Sequence, residues 1–169
     1  MAGRAGARKN RRVKRLSCGI LIVNPQHELL LAHATGTRVW DIPKGGGEAG
    51  ESPRRTAIRE TAEETGLVFG GDELLDLGRF AYRPAKDLHL FAALIARDAA
   101  QELHCRSHFV DWLGRRQPEM DAFAWTPFDL VAQRCARRLA ALLTRTLSLP
   151  QLLLRLQQRE PGTAARGGG

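Results

Sequence analysis

The sequence predicts an α+β fold, in which a β-sheet and several helices share one hydrophobic core. Two observations lead to this prediction: strand-like segments occur in two pairs, and helix-like segments with recognisable caps lie between and after them. The chain has 169 residues, of which 43% are hydrophobic, so it is long enough to bury one sizeable core. We expect that core in residues 16–147, followed by a C-terminal amphipathic helix at residues 148–159.

The two ends of the chain are predicted to be disordered tails. Residues 1–15 contain seven Lys or Arg and no acidic residue, and residues 160–169 consist mostly of Gly, Ala and Pro. The formal net charge of +8 therefore arises near the ends, while the body between them is mildly acidic. Basic ends favour contact with RNA or another polyanion, but a solvated tail is the more common explanation, so nucleic acid is an unproven partner.

The cysteines and the lengths of the apolar segments indicate in which cellular compartment the protein is expected. Cys18, Cys105 and Cys135 are scattered and form no C-x-x-C pair, which predicts reduced thiols and a reducing environment. No apolar run approaches the ~18 residues that a membrane span requires. We therefore expect a cytoplasmic protein with no membrane partner.

The first predicted elements are strands at residues 16–23 and 28–33, joined by the turn sequence Asn-Pro-Gln-His. The short polar connection between two apolar segments predicts an antiparallel hairpin. A second hairpin is predicted at residues 74–82 and 88–96, around the sequence Arg-Pro-Ala-Lys.

A helix is predicted between the two hairpins, at residues 53–65. Ser52 is a preferred N-cap, Pro53 suits the first helical turn, and Gly66 is a natural C-terminal stop. At ~100° per residue, the arc expected to pack on the core contains Ile58, Thr61, Ala62 and Thr65. The opposite arc is expected to carry Glu60, Glu63 and Glu64.

Two more helices are predicted near the C-terminus. Thr126 as N-cap and Pro127 at the first helical position predict a helix that continues to about residue 146. Ser148, with Gln151 three residues later, predicts a second helix with a stripe of leucines at positions 149, 152, 153 and 156. Such a stripe is a packed helix face or a dimer contact, so we expect a monomer or a homodimer.

The acidic cluster on the first helix breaks two local rules at once. Glu60, Glu63 and Glu64 repel each other at i, i+3 and i+4, and they lie toward the helix C-terminus, where negative charge is unfavourable. Such a violation is typical of a site whose ligand supplies the counter-charge, and hard oxygen donors suit Mg²⁺, with Mn²⁺ as the alternative ion. A solvated acidic face paired with Arg55 and Arg59 would explain the helix alone. The glycine-rich loop at residues 43–51 favours the ligand site, because it permits close backbone approach.

The spacing around this cluster resembles the box that defines the Nudix hydrolases. Gly45 is followed after five residues by Glu51 and after seven more by Arg-Glu-Thr-Ala-Glu-Glu-Thr-Gly-Leu at residues 59–67. Thr61 departs from the pattern, since the family usually has an aliphatic residue there. The resemblance implies a Nudix-like α/β/α sandwich, with a mixed β-sheet between helices, and hydrolysis of a nucleoside diphosphate linked to another group.

The resemblance also implies roles for individual residues. Divalent cations would be bound by Glu60, Glu63 and Glu64, with the Gly45 carbonyl as an additional ligand. Arg59 and Glu51 would orient these carboxylates. The general base varies within the family, and the candidates here are Glu60, Glu64 and, outside the box, Glu119.

The residues before the box resemble those of Nudix enzymes that act on polyanionic substrates. Trp40 and Lys44 match the subgroup that hydrolyses dinucleoside polyphosphates, diphosphoinositol polyphosphates or the 5' triphosphate of RNA. Lys44 would meet a phosphate, and Arg83 and Lys86 would extend the phosphate path, while Trp40 either contacts the substrate or caps the core. We expect a phosphorylated small molecule as substrate, in the order dinucleoside polyphosphate, inositol pyrophosphate or RNA 5' end, and nucleoside triphosphate.

A function of another class is a Nudix-shaped binding module that has lost catalysis and holds RNA or a protein. Loss of catalysis would remove the benefit of keeping three mutually repelling carboxylates. The intact set Glu60, Glu63 and Glu64 therefore favours the enzyme.

Overall fold

The computed structural model describes residues 14–100 and 102–159. Of the predicted tails at residues 1–15 and 160–169, residues 1–13 and 160–169 lie outside the described residues. The N-terminal boundary was wrong at Arg15, which begins the first strand. The strands are β1 (Arg15–Asn24), β2 (Glu28–Ala34), β3 (Trp40–Asp41), β4 (Lys44–Gly46), β5 (Leu75–Arg83), β6 (Lys86–Leu94), β7 (His108–Val110), β8 (Arg116–Pro118) and β9 (Met120–Pro127). The helices are α1 (Pro53–Thr65), α2 (Val131–Arg134), α3 (Arg137–Ala141), a π-helical turn (Leu142–Thr146) and α4 (Leu149–Gln157).

The main sheet is mixed and has β1 at its centre. Its order is β3-β2-β1-β6-β5, with β9 paired to β2 and β4 paired to β1. The β1–β6 pair is parallel, whereas the β1–β2 and β5–β6 pairs are antiparallel hairpins, as the sequence predicts. Because β2 pairs with the C-terminal end of β1, the other half of that edge is left for β4.

Helices cover both faces of the sheet, which confirms the predicted sandwich. On one face, Ala57 of α1 packs with Ile20, Ile22 and Phe91. On the other face, the C-terminal helices pack on the alternate side chains of the same strands, including Leu21 and Leu90. Alternation along β1 therefore divides the core into two layers. None of the helices in the described part of the chain is long and apolar enough to cross a membrane.

Helix α1 has the predicted bounds and caps. The Ser52 hydroxyl accepts the N–H of Arg55 at 3.3 Å, and Gly66 ends the helix in the left-handed conformation at φ 80°. The predicted packing face was wrong in part, because Glu64 is buried while Ile58 and Ala62 are only half-buried. The cause is β4, which lies against the side of the helix that carries Glu60 and Glu64.

The predicted helix start at Thr126 was wrong. Thr126 and Pro127 are the last residues of β9 and pair with Leu29 and Glu28 of β2. Proline is tolerated at the end of an edge strand, so strand pairing overrides the local helix signal. Helix begins only at Val131. Residues 135–136 then separate α2 from α3, and α3 continues directly into the π-helical turn.

Helix α4 uses its leucine stripe inside the molecule. Leu149, Leu152, Leu153 and Leu156 are all buried in the core layer opposite α1, so the packed-face alternative applies. The predicted capping by Ser148 was wrong: its side chain makes no cap hydrogen bond, and its backbone is left-handed at φ 44°. The leucine packing, rather than a capping box, therefore holds the start of this helix.

Candidate active site

The candidate site lies where β4 meets α1. Gly45 pairs with Cys18 of β1, and its backbone faces the carboxylate of Glu60. A Cβ at Gly45 would collide with that carboxylate, so glycine permits this approach without displacing the Glu60 side chain. The sheet thus brings the Gly45 backbone and the Glu60 side chain together, as the resemblance implies.

Glu64 is the most buried carboxylate of the site. It is 4% exposed and accepts the backbone N–H of Lys44 at 2.9 Å. Burial raises the pKa of Glu64 to about 8, although the Lys44 N–H and ammonium act in the opposite direction. Burial likewise raises the pKa of Glu60, opposed by Arg59. The two carboxyls lack enough positive charge around them, and a bound cation would provide it.

Arg59 organises the carboxylates on the outer side of the site. Its guanidinium donates to both oxygens of Glu51 at 3.1 and 3.0 Å and to the Gly46 carbonyl at 2.8 Å. These hydrogen bonds, together with a backbone contact at Glu48, lower the pKa of Glu51 to about 2. The pair therefore stays ionised and holds the glycine-rich loop against α1.

One nitrogen of Arg59 bridges two box glutamates. Nη1 lies 2.9 Å from Glu60 and 3.2 Å from Glu63. In residues 14–100 and 102–159, no three carboxylate, imidazole or thiol side chains already converge to hold an ion. The bridging guanidinium shows, however, that positive charge is accommodated between Glu60 and Glu63. Since Glu63 is 44% exposed, its carboxylate is free to turn toward a cation.

Glu119 lies close to the box although it is far away in sequence. Its charge contributes to the raised pKa of both Glu60 and Glu64. Its backbone is fixed at both ends, because its N–H donates to the Ser107 carbonyl at 3.1 Å and its carbonyl accepts the N–H of Thr35 at 3.0 Å. The three candidate bases are therefore electrostatically coupled.

The three predicted phosphate-binding cations also lie near each other. Burial and the charges of Lys44 and Arg83 lower the pKa of Lys86. The Lys44 ammonium is held 2.6 Å from Asp41, and the Arg83 guanidinium lies 5.4 Å from the ring of Tyr82. The result is a basic edge beside the acidic cluster.

Trp40 has a different environment. Its ring packs against the core layer on the α4 side, with the Arg134 guanidinium 5.4 Å from its centre and His33 at 5.2 Å. This packing explains the presence of Trp40, which covers one side of the hydrophobic core.

Sequence reasoning missed three contributors to the site. Asp41 holds Lys44, and Thr56 donates a hydrogen bond to Glu51 at 2.9 Å. The third is the segment at residues 104–107, whose N–H groups bond the carbonyls of Glu63 and Thr65 at the end of α1. The Asp41–Lys44 pair could have been predicted, because the two residues are only three positions apart. The contact between residues 104–107 and the end of α1 could not, because it joins segments about 40 residues apart and no local pattern indicates it.

Comparison with known proteins places this geometry in a family. The NUDIX domain model matches residues 13–145. An uncharacterized 17.7 kDa protein from the e-segB intergenic region of Enterobacteria phage T4 is 39% identical over 127 residues, which is 69% of this chain and 84% of that protein. An RNA pyrophosphohydrolase of Pseudoalteromonas translucida is 29% identical over 126 residues, which is 68% of this chain and 71% of the relative.

A solved structure shows the same fold. The crystal structure of a C. elegans Ap4A hydrolase in a binary complex aligns with a TM-score of 0.58 at 19% identity, over 85% of this chain and 98% of that chain. At this identity the similarity concerns the fold. The family match extends over most of the chain and includes the whole acidic box, so the chain belongs to the Nudix family of pyrophosphohydrolases.

Proposed function

We propose that this protein hydrolyses a pyrophosphate bond in a nucleoside diphosphate linked to another group, with a dinucleoside polyphosphate such as diadenosine tetraphosphate as the preferred substrate. The site assigned to this reaction comprises metal ligands Glu60, Glu63, Glu64 and the Gly45 carbonyl, orienting residues Glu51 and Arg59, candidate bases Glu60, Glu64 and Glu119, and substrate contacts Lys44, Arg83 and Lys86.

One observation carries the proposal: Glu60 and Glu64 are desolvated carboxylates, and Glu60 lies directly against the backbone of Gly45. A protein would gain no stability from two partly uncompensated acids at this place. A cation that binds there offsets the cost, and the donor set of carboxylate and carbonyl oxygens fits Mg²⁺ or Mn²⁺. When bound, such ions neutralise phosphate charge and lower the pKa of the attacking water.

The remaining chemistry comes from the residues of the chain. Arg59 donates hydrogen bonds to Glu51, Glu60 and Glu63 and thereby keeps the three carboxylates on one side of the site. Lys44, Arg83 and Lys86 offer a basic edge to the polyphosphate beside the acidic cluster. One of three carboxylates, those of Glu60, Glu64 and Glu119, accepts the proton of the attacking water.

A second candidate is the 5' end of RNA, which the relative from Pseudoalteromonas favours. Both substrates present a chain of phosphates attached to a nucleoside. Three free cysteines among the described residues favour a reducing compartment such as the cytoplasm for either reaction.

The proposal is tested by chromatographic analysis of the products formed from four classes of substrate: diadenosine polyphosphates, an inositol pyrophosphate, triphosphorylated RNA and nucleoside triphosphates. Each is incubated with Mg²⁺ or Mn²⁺, and with a chelator as control. We expect turnover of a nucleoside-containing class that the chelator abolishes. Turnover that persists in the chelator would contradict the metal assignment.

A matched pair of variants separates the site from its surroundings. Glu60→Gln removes a charge from the cluster on α1, while Glu48→Gln makes the same change at an exposed position of the glycine-rich loop that precedes α1. We expect loss of turnover only in Glu60→Gln. Absence of turnover in the wild-type protein on all four classes would favour the non-catalytic binding module, and RNA binding would then be measured directly.

A further inference from the structure

A hairpin beside the acidic cluster exposes an unusual amount of apolar surface. We call residues 104–118 the Trp112 arm; it consists of β7, a turn and β8. Four of the seven exposed large hydrophobic residues in the described part of the chain lie in it: Phe109 at 38%, Val110 at 70%, Trp112 at 89% and Leu113 at 52%. A concentration of exposed apolar side chains on a soluble fold is typical of a contact surface.

The root of the arm is attached to the acidic end of α1. The N–H groups of Arg106 and Ser107 both donate to the Glu63 carbonyl, at 2.6 and 3.2 Å. On the return side, Glu119 bonds the Ser107 carbonyl. Five residues separate Ser107 from Trp112, so the chain keeps the Trp112 Cα within about 18 Å of this root. The arm therefore extends from the C-terminal part of α1, the helix that carries the acidic cluster.

The arm is also basic. Arg106, Arg115 and Arg116 are exposed, and Asp111 is the only acidic residue between positions 104 and 118. Asp111 forms an ion pair with Arg115 at 2.9 Å. Arg106 and Arg116 therefore have no carboxylate partner among the described residues. An exposed indole on an arginine-rich hairpin matches a ligand that combines a flat aromatic ring with phosphates.

We propose that Trp112 stacks on a nucleobase of the substrate while the arginines of the arm contact its phosphates. This inference rests on the proposed pyrophosphohydrolase function and identifies the part of the substrate that the arm recognises. A nucleobase has a π-face for the indole, whereas an inositol ring has none, so the arm favours nucleotide substrates. A nucleobase attached to a chain of phosphates occurs both in a dinucleoside polyphosphate and at an RNA 5' end.

The test compares Trp112→Ala and Trp112→Phe with Leu154→Ala, which removes a side chain that is 57% exposed on α4. Steady-state kinetics are measured on diadenosine tetraphosphate, a triphosphorylated RNA oligonucleotide and an inositol pyrophosphate. We expect Trp112→Ala to raise KM roughly tenfold on a base-containing substrate, as loss of one base–aromatic stack does, with little change in kcat. Trp112→Phe should restore most of the affinity, and the inositol substrate and Leu154→Ala should show no change. The substrate with the larger increase in KM identifies the source of the base.

Two results would overturn the inference. One is an unchanged KM for base-containing substrates in Trp112→Ala, or an equal increase for the inositol substrate. The other is a dimer in size-exclusion chromatography that Trp112→Ala converts to a monomer, which would make the arm an interface between two copies.

Binding without turnover separates this inference from the proposed function. Titration of the metal-free protein with ATP should quench tryptophan fluorescence, and the quenching should be smaller in Trp112→Phe. Quenching of this kind with no hydrolysis of any substrate would reject the proposed function while retaining the stacking site. Quenching that is identical in Trp112→Phe and wild type would reject the stacking.

Discussion

The carboxylates of the box differ in how deeply they are buried, and therefore in how strongly they affect the stability of the fold. Glu64 is buried and hydrogen-bonded to Lys44, whereas Glu63 is 44% exposed and contacts Arg59. Removal of charge from Glu63 therefore tests catalysis with little effect on the core. The spacing of the three glutamates was readable in the sequence, but their unequal burial was not.

We predict that Glu63→Gln lowers turnover by more than the ~10–100-fold that outer-shell changes typically cause. The thermal midpoint should stay close to that of the wild type, because the side chain lies at the surface. Steady-state kinetics with Mg²⁺ and a thermal melt check the two parts. Wild-type turnover in this variant would remove Glu63 from the metal site.

Thr61, the one departure from the box, is fully buried, and its hydroxyl has no hydrogen-bond partner among the described residues. We predict that Thr61→Val stabilises the protein by about 1 kcal/mol, because it removes an unpaired polar group at nearly constant shape. Urea denaturation provides the measurement. Thr65→Val is the matched control, since the Thr65 hydroxyl donates to the Thr61 carbonyl at 2.7 Å and its loss should destabilise. A stability loss in Thr61→Val would show that the hydroxyl is satisfied in solution.

At the scale of elements, α1 could be predicted because its start and stop are local. Ser52, Pro53 and Gly66 act within one turn of each helix end, so their effect does not depend on the rest of the chain. Thr126 and Pro127 carry a similar local signal, yet they end β9, because β2 provides a long antiparallel partner. A cap signal therefore fails where strand pairing competes with it.

The close contact between β4 and α1 can be tested by adding a side chain to β4. Gly45→Ala should displace the Glu60 carboxylate and reduce metal-dependent turnover, since a Cβ at that position collides with it. Gly46→Ala is the control, because no atom lies within 4 Å of the Cβ that it adds. Turnover and metal affinity are measured for both. Equal activity in the two variants would contradict the proposed approach of β4 to Glu60.

At the scale of the whole molecule, the buried acid makes stability depend on pH. The pKa of Glu64 is about 8 in the folded protein and near 4.5 in an unfolded chain. Between these values the folded state holds a proton that the unfolded state releases, so the free energy of unfolding falls as pH rises through this window.

We therefore predict that the metal-free protein loses several degrees of thermal midpoint between about pH 4.5 and pH 8. Glu64→Gln should flatten this dependence, and Glu63→Gln should preserve it. Added Mg²⁺ should offset the loss at the upper end, because a bound cation stabilises the ionised carboxylate. Parallel pH profiles in Glu64→Gln and wild type would assign the effect to another group.

The sequence by itself determined the elements whose signals are local: the two hairpins, α1 with its caps, and the acidic box with its family. Periodicity, turn residues and cap residues act over a few positions, which is why they were readable. Only the tertiary structure decided that Glu64 is buried by β4, that the charge of Glu119 acts on Glu64, and that Thr126 ends a strand. Each of these depends on pairing between segments far apart in the chain, and such pairing is selected by the free energy of the whole fold rather than by any short pattern.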